Sequence, residues 1–290
     1  MDRILTIIVT YNGMKWLDKC LSSVRESKVK SDLFIVDNGS TDGTTEYIKK
    51  NYPEAVLVES EENLGFGKAN NKGFEYALKN GYDYVYLLNQ DAWIEPNLLG
   101  TMIDTYQSNP DFGILSPLQI TKRQTNLDKN FSECIPPTLS SDLLCGQPLK
   151  KVYSTHFAMA AHWLIPVEIL RKIGGFSPIF PHYGEDDNLI DRCKYIGYKI
   201  GIVPEVKGVH DREYRKDSEE KIKYMRYISI LKFLNNPLYR NKFLTLAQRL
   251  ISYSIRPNQF TAKYAWLSIK AYFKSKVLLK KYLESECFLK

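Results

Sequence analysis

The chain has 290 residues, of which 44% are hydrophobic and 25% are charged, a composition typical of one large globular domain with an appendage. It contains no run of eighteen apolar residues, which excludes a transmembrane helix. Its five cysteines are scattered and lack Cys-x-x-Cys spacing, which argues against a disulfide framework or a zinc site and for a reducing cytoplasm.

The net charge of +7 is concentrated near the end of the chain. Residues 212–290 contain 18 Lys and Arg against 6 Asp and Glu, whereas the rest of the chain contains 22 against 27. A basic surface of this kind can bind nucleic acid or an anionic membrane. We prefer the membrane, because no nucleic-acid-binding motif accompanies the charge.

Up to about Ser116, strand-like and helix-like segments alternate. The first segment is short and rich in β-branched residues, which indicates a strand and not a signal peptide. Strands alternating with helices predict a mostly parallel sheet flanked by helices, with ligands beyond the carboxyl ends of the strands. The predicted strands are Leu5–Thr10, Leu33–Val36, Ala55–Val58, Tyr84–Leu88 and Phe112–Leu115, and the helices lie at 16–24, 41–51, 68–79 and after Glu95.

The second part of the chain is less regular. Gln119–Leu149 has little periodicity, which predicts a long loop or flap. A helix at Val167–Ile173 ends at two glycines, and another helix follows Gly184. Two short strands are predicted near Lys199–Val203 and Lys207–Val209. After Arg212 the pattern indicates helices interrupted at Pro237 and Pro257, so we expect a main domain at 1–212 and a basic, aromatic-rich helical extension at 213–290.

Polar residues follow the first two strands. The first strand runs into Thr10-Tyr11-Asn12, and the second into Asp37-Asn38, followed by a glycine turn and a Ser/Thr helix cap. The second loop has two explanations. It is either a capped turn or a site where a carboxylate accepts a hydrogen bond from a base or ribose.

The next two strands are also followed by candidate ligand-binding residues. Asn63–Asn70 fails as a dinucleotide fingerprint, because Asn70 stands at the last glycine position and the segment follows the third strand. Its backbone amides around Gly67 could still contact a ligand. The fourth strand ends in Asn89-Gln90-Asp91, where Asp91 is either a surface turn acid or one ligand of a hard cation.

Three consecutive acids, Glu185-Asp186-Asp187, stand at a predicted helix start. The helix dipole favours acids there, but a buried acid beside other acids also has the proton affinity that a general base needs. His210 follows a later strand. A lone histidine is usually structural, but near a cation site it is a reasonable second ligand.

In this order the segments resemble glycosyltransferase family 2, particularly its rhamnosyltransferase-like bacterial members. The resemblance spans about residues 3–211 and does not reach the tail. The segments that carry it are Ile8–Asn12, Val36–Asp42, Asn63–Asn70, Leu87–Asp91, Gly174–Phe176, Gly184–Asp186 and Val209–His210.

The resemblance implies a GT-A-type α/β fold and inverting transfer of a sugar from a nucleotide-sugar donor to an acceptor hydroxyl, in bacterial cell-surface polysaccharide synthesis. It implies Mg²⁺ or Mn²⁺ held by Asp91 and His210, and Asp186, beside Glu185, as the general base. The residues expected to hold the nucleotide are Thr10, Tyr11, Asn12, Asp37, Asn38, Gly67, Asn70, Asn89 and Gln90.

Two positions depart from the family pattern. Asn89 replaces the first acid of the Asp-x-Asp motif, so we expect weakened metal affinity, although an amide can still bond a ribose hydroxyl. Asn188 replaces a later acid, which leaves no anion at that position.

Two other functions compete with the transferase. A sugar-phosphate nucleotidyltransferase would carry a basic glycine-rich loop after the first strand, which is absent here. A non-catalytic nucleotide-sugar-binding protein has some support from Asn89 and Asn188, but the retained Asp91, Glu185, Asp186 and His210 argue against it.

The tail has three candidate roles. It could pack on the main domain, form an oligomer contact, or contact the inner face of the plasma membrane, where a lipid-linked saccharide acceptor would lie. We expect no binding of nucleic acid. The acceptor side is expected around Gln119–Leu149 and near His156, His162 and Trp163.

Overall fold

The computed structural model describes residues 2–212, 218–254 and 261–289. Helices and strands occur where the periodicity predicted them in the first hundred residues. The elements are β1 Ile4–Thr10, α1 Met14–Arg25, β2 Asp32–Asp37, α2 Thr44–Asn51, β3 Val56–Glu59, α3 Gly65–Lys79, β4 Tyr84–Asn89, β5 Ala92–Ile94, α4 Leu98–Ser108, β6 Phe112–Thr121, α5 Lys129–Ser132, α6 Pro137–Leu144, β7 Tyr153–Thr155, β8 His162–Pro166, α7 Val167–Ile173, α8 Glu185–Tyr195, β9 Lys199–His210, α9 Glu219–Asn235, α10 Lys242–Ser254 and α11 Ala262–Lys281.

The strands form one mixed sheet in the order β3-β2-β1-β4-β8-β6-β9-β5, with β7 paired to β9. β1 to β4 are parallel to one another, as predicted. β8 is antiparallel to β4, and β5 and β7 are antiparallel to β9. The strands β5 and β7 were not predicted, because three residues are too few to show a period.

Side chains that alternate along β1 enter two different cores. Ile4 and Ile8 pack on the face covered by α1 and α4, whereas Leu5 and Ile7 pack on the face covered by α3 and α7. Because both faces are buried, the strands are almost continuously apolar. The polar residues therefore collect at the strand ends.

Two predictions for the second part of the chain are wrong. Gln119–Leu149 is not a loop throughout, because its first residues complete β6 and the helices α5 and α6 follow. These helices of four and eight residues are too short to show a clear period. The two strands predicted around 199–209 form the single strand β9. Its pairing with β6 jumps from Val203 to Lys207, so residues 204–206 bulge.

The helix α9 packs on α8 and its preceding loop, and α10 and α11 pack on α9. Pro237 separates α9 from α10, as predicted, and Pro257 lies outside the described residues. The chain end returns to the loop after α7, where the Gly175 amide donates to the Cys287 carbonyl at 2.8 Å. The buried Arg192 guanidinium donates to the Gly175 carbonyl at 2.5 Å from the other side. Among the described helices, none is long and apolar enough to cross a membrane.

We expect Gly73→Ala to lower the free energy of unfolding by about 1–3 kcal/mol, although alanine is the better helix former. A Cβ at Gly73 would lie 2.7 Å from two carbons of Ile7, because α3 approaches β1 closely there. Urea unfolding measures the loss. The adjacent exposed Lys72→Ala is the control and should change stability little. Equal stability of the two variants would contradict this close packing.

Candidate functional site

A cavity of about 640 Å³ opens at the carboxyl ends of β1 and β4. The loop before α3 and the loop between α7 and α8 form its other walls. Seven of the residues predicted for the site line it, namely Thr10, Tyr11, Asn38, Gly67, Asn89, Gln90 and Asp91. The position agrees with the rule that open α/β sheets bind ligands beyond the carboxyl ends of their strands.

The loop after β2 is organised by the buried carboxylate of Asp37. One oxygen accepts hydrogen bonds from Thr10 Oγ1 at 2.8 Å and Ser40 Oγ at 2.5 Å. The other accepts from the amides of Gly39 at 3.1 Å and Ser40 at 2.8 Å. These four bonds fill the acceptor capacity of a carboxylate, so Asp37 holds the loop and lies behind the cavity wall.

The loops after β1 and β4 are joined by reciprocal hydrogen bonds. The Tyr11 amide donates to Gln90 Oε1 at 2.9 Å, and Gln90 Nε2 donates to the Tyr11 carbonyl at 3.2 Å. Asn12 lies outside the cavity wall, where its Oδ1 accepts from the Thr41 amide at 2.9 Å. The exposed ring of Tyr11 therefore lies on a fixed backbone at the cavity rim.

The glycine-rich segment forms the first turns of α3. A Cβ at Gly67 would lie 3.0 Å from Cβ of Phe176, so this glycine permits the α7–α8 loop to close the cavity. Asn70 is buried and donates to the Phe66 carbonyl, which gives it a structural position away from the wall. Its neighbour Asn71 accepts from the Phe176 amide at 2.7 Å and so fixes that loop.

Three polar side chains of the cavity wall, those of Asn63, Lys68 and His182, were not selected from the sequence. Lys68 is exposed and lines the cavity beside Gly67, and His182 lines it from the loop before α8. Lys68 could have been identified from the sequence, since it directly follows the glycine turn. Its ammonium group offers the wall a positive charge for a phosphate.

Asp91 and His210 lie together at the junction of β5 and β9. Ala92 pairs with His210 in the antiparallel register, which places Asp91 Oδ1 3.4 Å from His210 Nε2. Two ligands of one cation have about this separation. The described residues contain no group of three or more His, Cys, Asp or Glu that could hold a metal. The remaining ligands of a cation here would therefore be phosphate and water oxygens.

Asp128 is a third residue of this region that the sequence did not indicate. It is fully buried, and its Oδ2 lies 3.7 Å from His210 Nδ1 and 3.3 Å from Arg212 Nε. Its other oxygen accepts from the amides of Asn130 and Phe131 and caps α5. Asp128 thus brings the segment expected to be a flap close to the His210 ring, although the two side chains are not hydrogen-bonded.

The first residues of α8 hold two carboxyl groups with raised pKa values. Burial, followed by the charge of Asp186, raises the pKa of Glu185 from 4.5 to about 7. Burial and the charge of Asp187 raise the pKa of the partly exposed Asp186. Neither lines the cavity, but Cβ of Glu185 lies 3.7 Å from where a Cβ of Gly67 would stand.

The Cys134 thiol, in the segment that follows α5, lies within electrostatic range of Asp186. Burial, followed by the charge of Glu133, raises the pKa of Cys134, and the charges of Asp128 and Asp186 raise it less.

Asn188 and two residues expected on the acceptor side have structural positions. The buried Asn188 donates to the Asn235 carbonyl at 3.0 Å and accepts from Arg192, so it fastens α8 to α9. His162 and Trp163 are fully buried within β8 and cannot touch an acceptor directly. His156 is exposed, as an acceptor-side residue must be.

Residues 6–174 match the family model described as glycosyl transferase family 2. An undecaprenyl-phosphate mannosyltransferase of Micrococcus luteus is 29% identical over 109 residues, which is 37% of this chain and 45% of that protein. A poly-beta-1,6-N-acetyl-D-glucosamine synthase of Staphylococcus aureus is 29% identical over 119 residues, which is 40% of this chain and 28% of that protein. The chain thus matches less than half the length of either relative.

Solved structures share the fold. S. aureus TarS 1-349 in complex with UDP has a TM-score of 0.57 at 15% identity, over 97% of this chain and 79% of that chain. The mannosyltransferase PcManGT from Pyrobaculum calidifontis, in complex with GDP-Man and Mn²⁺, has a TM-score of 0.56 at 19% identity, over 96% and 69%. These neighbours confirm the predicted α/β fold of GT-A type with a helical C-terminal region.

We expect Glu185→Gln to stabilise the protein at pH 8 but not at pH 5. A raised pKa means that the folded state holds the proton more tightly. The contribution of Glu185 to the stability of the fold is therefore fully present below its ordinary pKa of 4.5, and it is lost as the pH rises through about 7. Glutamine does not ionise. From pH 5 to pH 8, the free energy of unfolding of the variant should therefore rise by about 1–3 kcal/mol relative to that of wild type. Urea unfolding at both pH values measures the gain.

The exposed loop residue Glu62 supplies the control. Glu62→Gln should give the same difference from wild type at pH 5 and pH 8. If Glu185→Gln behaved likewise, Glu185 would ionise normally in the folded protein, and the raised pKa would be wrong.

Proposed function

Because the chain belongs to glycosyl transferase family 2, we propose that it transfers a sugar, with inversion, from a nucleotide diphosphate sugar to an acceptor hydroxyl. The observation that carries the proposal is the cavity at the strand ends with Asp91 and His210 at its edge. The curated relatives are named as a mannosyltransferase and a polysaccharide synthase, which supports a role in cell-surface polysaccharide synthesis.

The donor nucleotide is assigned to the cavity. Thr10, Asn38 and Asn89 offer hydroxyl and amide groups to the nucleoside, and Asp37 keeps their loops in place. Lys68 and the backbone near Gly67 face the diphosphate side. The titles of the TarS and PcManGT structures name UDP and GDP-Man, which supports a nucleotide-sugar donor.

Asp91 and His210 are assigned to a divalent cation, which when bound neutralises the charge that develops on the leaving diphosphate. One carboxylate and one imidazole fit Mg²⁺ or Mn²⁺, and the nitrogen ligand favours Mn²⁺. Mn²⁺ is also named in the titles of the PcManGT and GalNAc-T7 structures. Asn89 leaves the site with one negative charge fewer than an Asp-x-Asp motif would have.

Asp186 is assigned as the general base that takes the proton from the acceptor hydroxyl. Its raised pKa gives the carboxylate a higher proton affinity than an exposed acid has, as this role requires. Burial, followed by the charge of Asp187, keeps this pKa raised, and Glu185 lies deeper, beside Gly67.

The nucleotidyltransferase and the non-catalytic binder are not favoured, since the relatives are named as transferases and synthases. We assign catalysis to residues 1–212. The acceptor is a saccharide or a lipid-linked saccharide, and the extension at 213–290 contacts the inner face of the plasma membrane from the cytoplasm.

We expect Asp186→Asn to lower kcat by about 10²- to 10⁴-fold, because the amide cannot accept the acceptor's proton. The dissociation constant of the nucleotide diphosphate should stay close to that of wild type. Release of nucleotide diphosphate gives the rate, and calorimetry gives the affinity. Asp191→Asn is the matched control on the same helix and should keep most of the turnover, because Asp191 lies more than one turn further along and accepts a hydrogen bond from Asn236 Nδ2 at 2.6 Å. Near-normal turnover of Asp186→Asn would contradict the base assignment.

We expect EDTA to abolish transfer and added Mn²⁺ to restore it. Asn89→Asp should lower the Mn²⁺ concentration for half-maximal rate several-fold, because it adds a second carboxylate near Asp91. Asn63→Asp adds the same charge to another loop of the cavity wall and should leave the Mn²⁺ requirement unchanged. Full activity in chelator would contradict the roles of Asp91 and His210.

A further inference from the structure

The last helix, α11, is buried along one side and exposes large apolar residues on the other. Its buried residues are Tyr264, Ser268, Ala271, Ser275 and Leu278, and the helix packs along α9. The apolar residues of α11 are therefore not confined to its packed side, as they would be in an ordinary amphipathic helix.

The bulky residues form a line on the opposite side, which we name the apolar ridge. Trp266, Ile269, Phe273 and Val277 follow one another at spacings of three and four, so they share one face. They are 57%, 39%, 62% and 68% exposed. One exposed apolar side chain is ordinary, but four in line indicate an interaction surface.

Lysines flank the apolar ridge on both sides. At 100° per residue, Lys270 and Lys274 lie on one side of the ridge, and Lys276 and Lys280 lie on the other. The Lys270 ammonium lies 5.1 Å from the centre of the Trp266 ring. The sequence from 261 to 281 contains no Asp or Glu, so the face has one sign of charge.

The start of α10 enlarges this surface. Phe243 and Leu244 are exposed, and the Phe243 ring lies 5.9 Å from that of Tyr272 on α11. A groove of about 680 Å³ runs between them and is lined by Tyr272, Lys276 and Leu279 among others. Apolar side chains with basic neighbours thus continue beyond the ridge.

We propose that the apolar ridge and its flanking lysines bind the surface of a bilayer that contains anionic phospholipid, with α11 lying in the interface. This surface makes the membrane contact that is part of the proposed function, and the inference rests on that function. Apolar residues enter the acyl boundary while lysines reach the phosphate groups on either side. A second copy of this face would set lysines against lysines, so charge complementarity selects the membrane.

Vesicle co-sedimentation tests the proposal with the full chain. Vesicles with about one third phosphatidylglycerol in phosphatidylcholine should bind the protein, and binding should weaken at high salt. Trp266→Ser with Phe273→Ser should lower the binding constant at least tenfold. Lys270→Gln with Lys274→Gln should lower it about fivefold for each lysine. Leu144→Ser, at an exposed apolar residue of α6, is the control and should bind as wild type does.

Three outcomes would overturn the proposal. They are failure to sediment with these vesicles, equal binding by the ridge variant, or self-association of the chain that the ridge substitutions abolish. All substituted residues are exposed, so thermal unfolding should be unchanged and confirms the fold of each variant. Transfer of the sugar to a lipid-free saccharide, measured by the nucleotide diphosphate that is released, separates the two hypotheses, because the ridge variant should match wild type there. Absence of transfer by wild type would count against the transferase instead.

Discussion

The antiparallel pairing of β5 with β9 is the contact on which the site depends. It places Ala92 opposite His210 and so brings Asp91 beside an imidazole that is distant in the chain. The parallel strands β1 and β4 deliver their polar ends to the same edge of the sheet. A cavity with amides on one side and a carboxylate–imidazole pair on the other results from these two arrangements.

The acids at the start of α8 occupy a costly environment that the rest of the fold maintains. Burial raises the pKa of both Glu185 and Asp186, so ionising them opposes folding near neutral pH. Asn188 and Arg192 anchor α8 to its neighbours. Asn188 donates a hydrogen bond to the Asn235 carbonyl, and Arg192 donates one to the Gly175 carbonyl. The stability of the surrounding contacts thus offsets the cost of burying these two carboxyl groups.

The helices after residue 218 have two faces with different uses. Their inner face packs closely against the residue that precedes α8. A Cβ at Gly184 would lie 3.0 Å from Lys232 and 3.1 Å from Ile228, and both residues belong to α9. Their outer face carries the apolar ridge. Packing on the main domain, an oligomer contact and contact with a membrane were the alternatives for this extension. The structure shows the packing, and the membrane contact is our proposal.

Much of the fold was predictable because β1 to β4 and their helices are long enough to show their periods. The failures have a physical cause. β5 and β7 have three residues each, and α5 has four, so local pattern cannot reveal them. Asp128 was missed for a related reason, since a single acid before a short helix resembles an ordinary cap.

The sequence by itself determined the polar residues at the strand ends, the acids at the start of α8 and the basic charge of residues 212–290. These features follow from residue type and local period, which need no distant partner. Only the tertiary structure decided that Asp91 meets His210, that Asp37 and Asn70 lie behind the cavity wall, and that Asn188 joins two helices. Those outcomes depend on strand register and helix packing, which unite residues far apart in the chain.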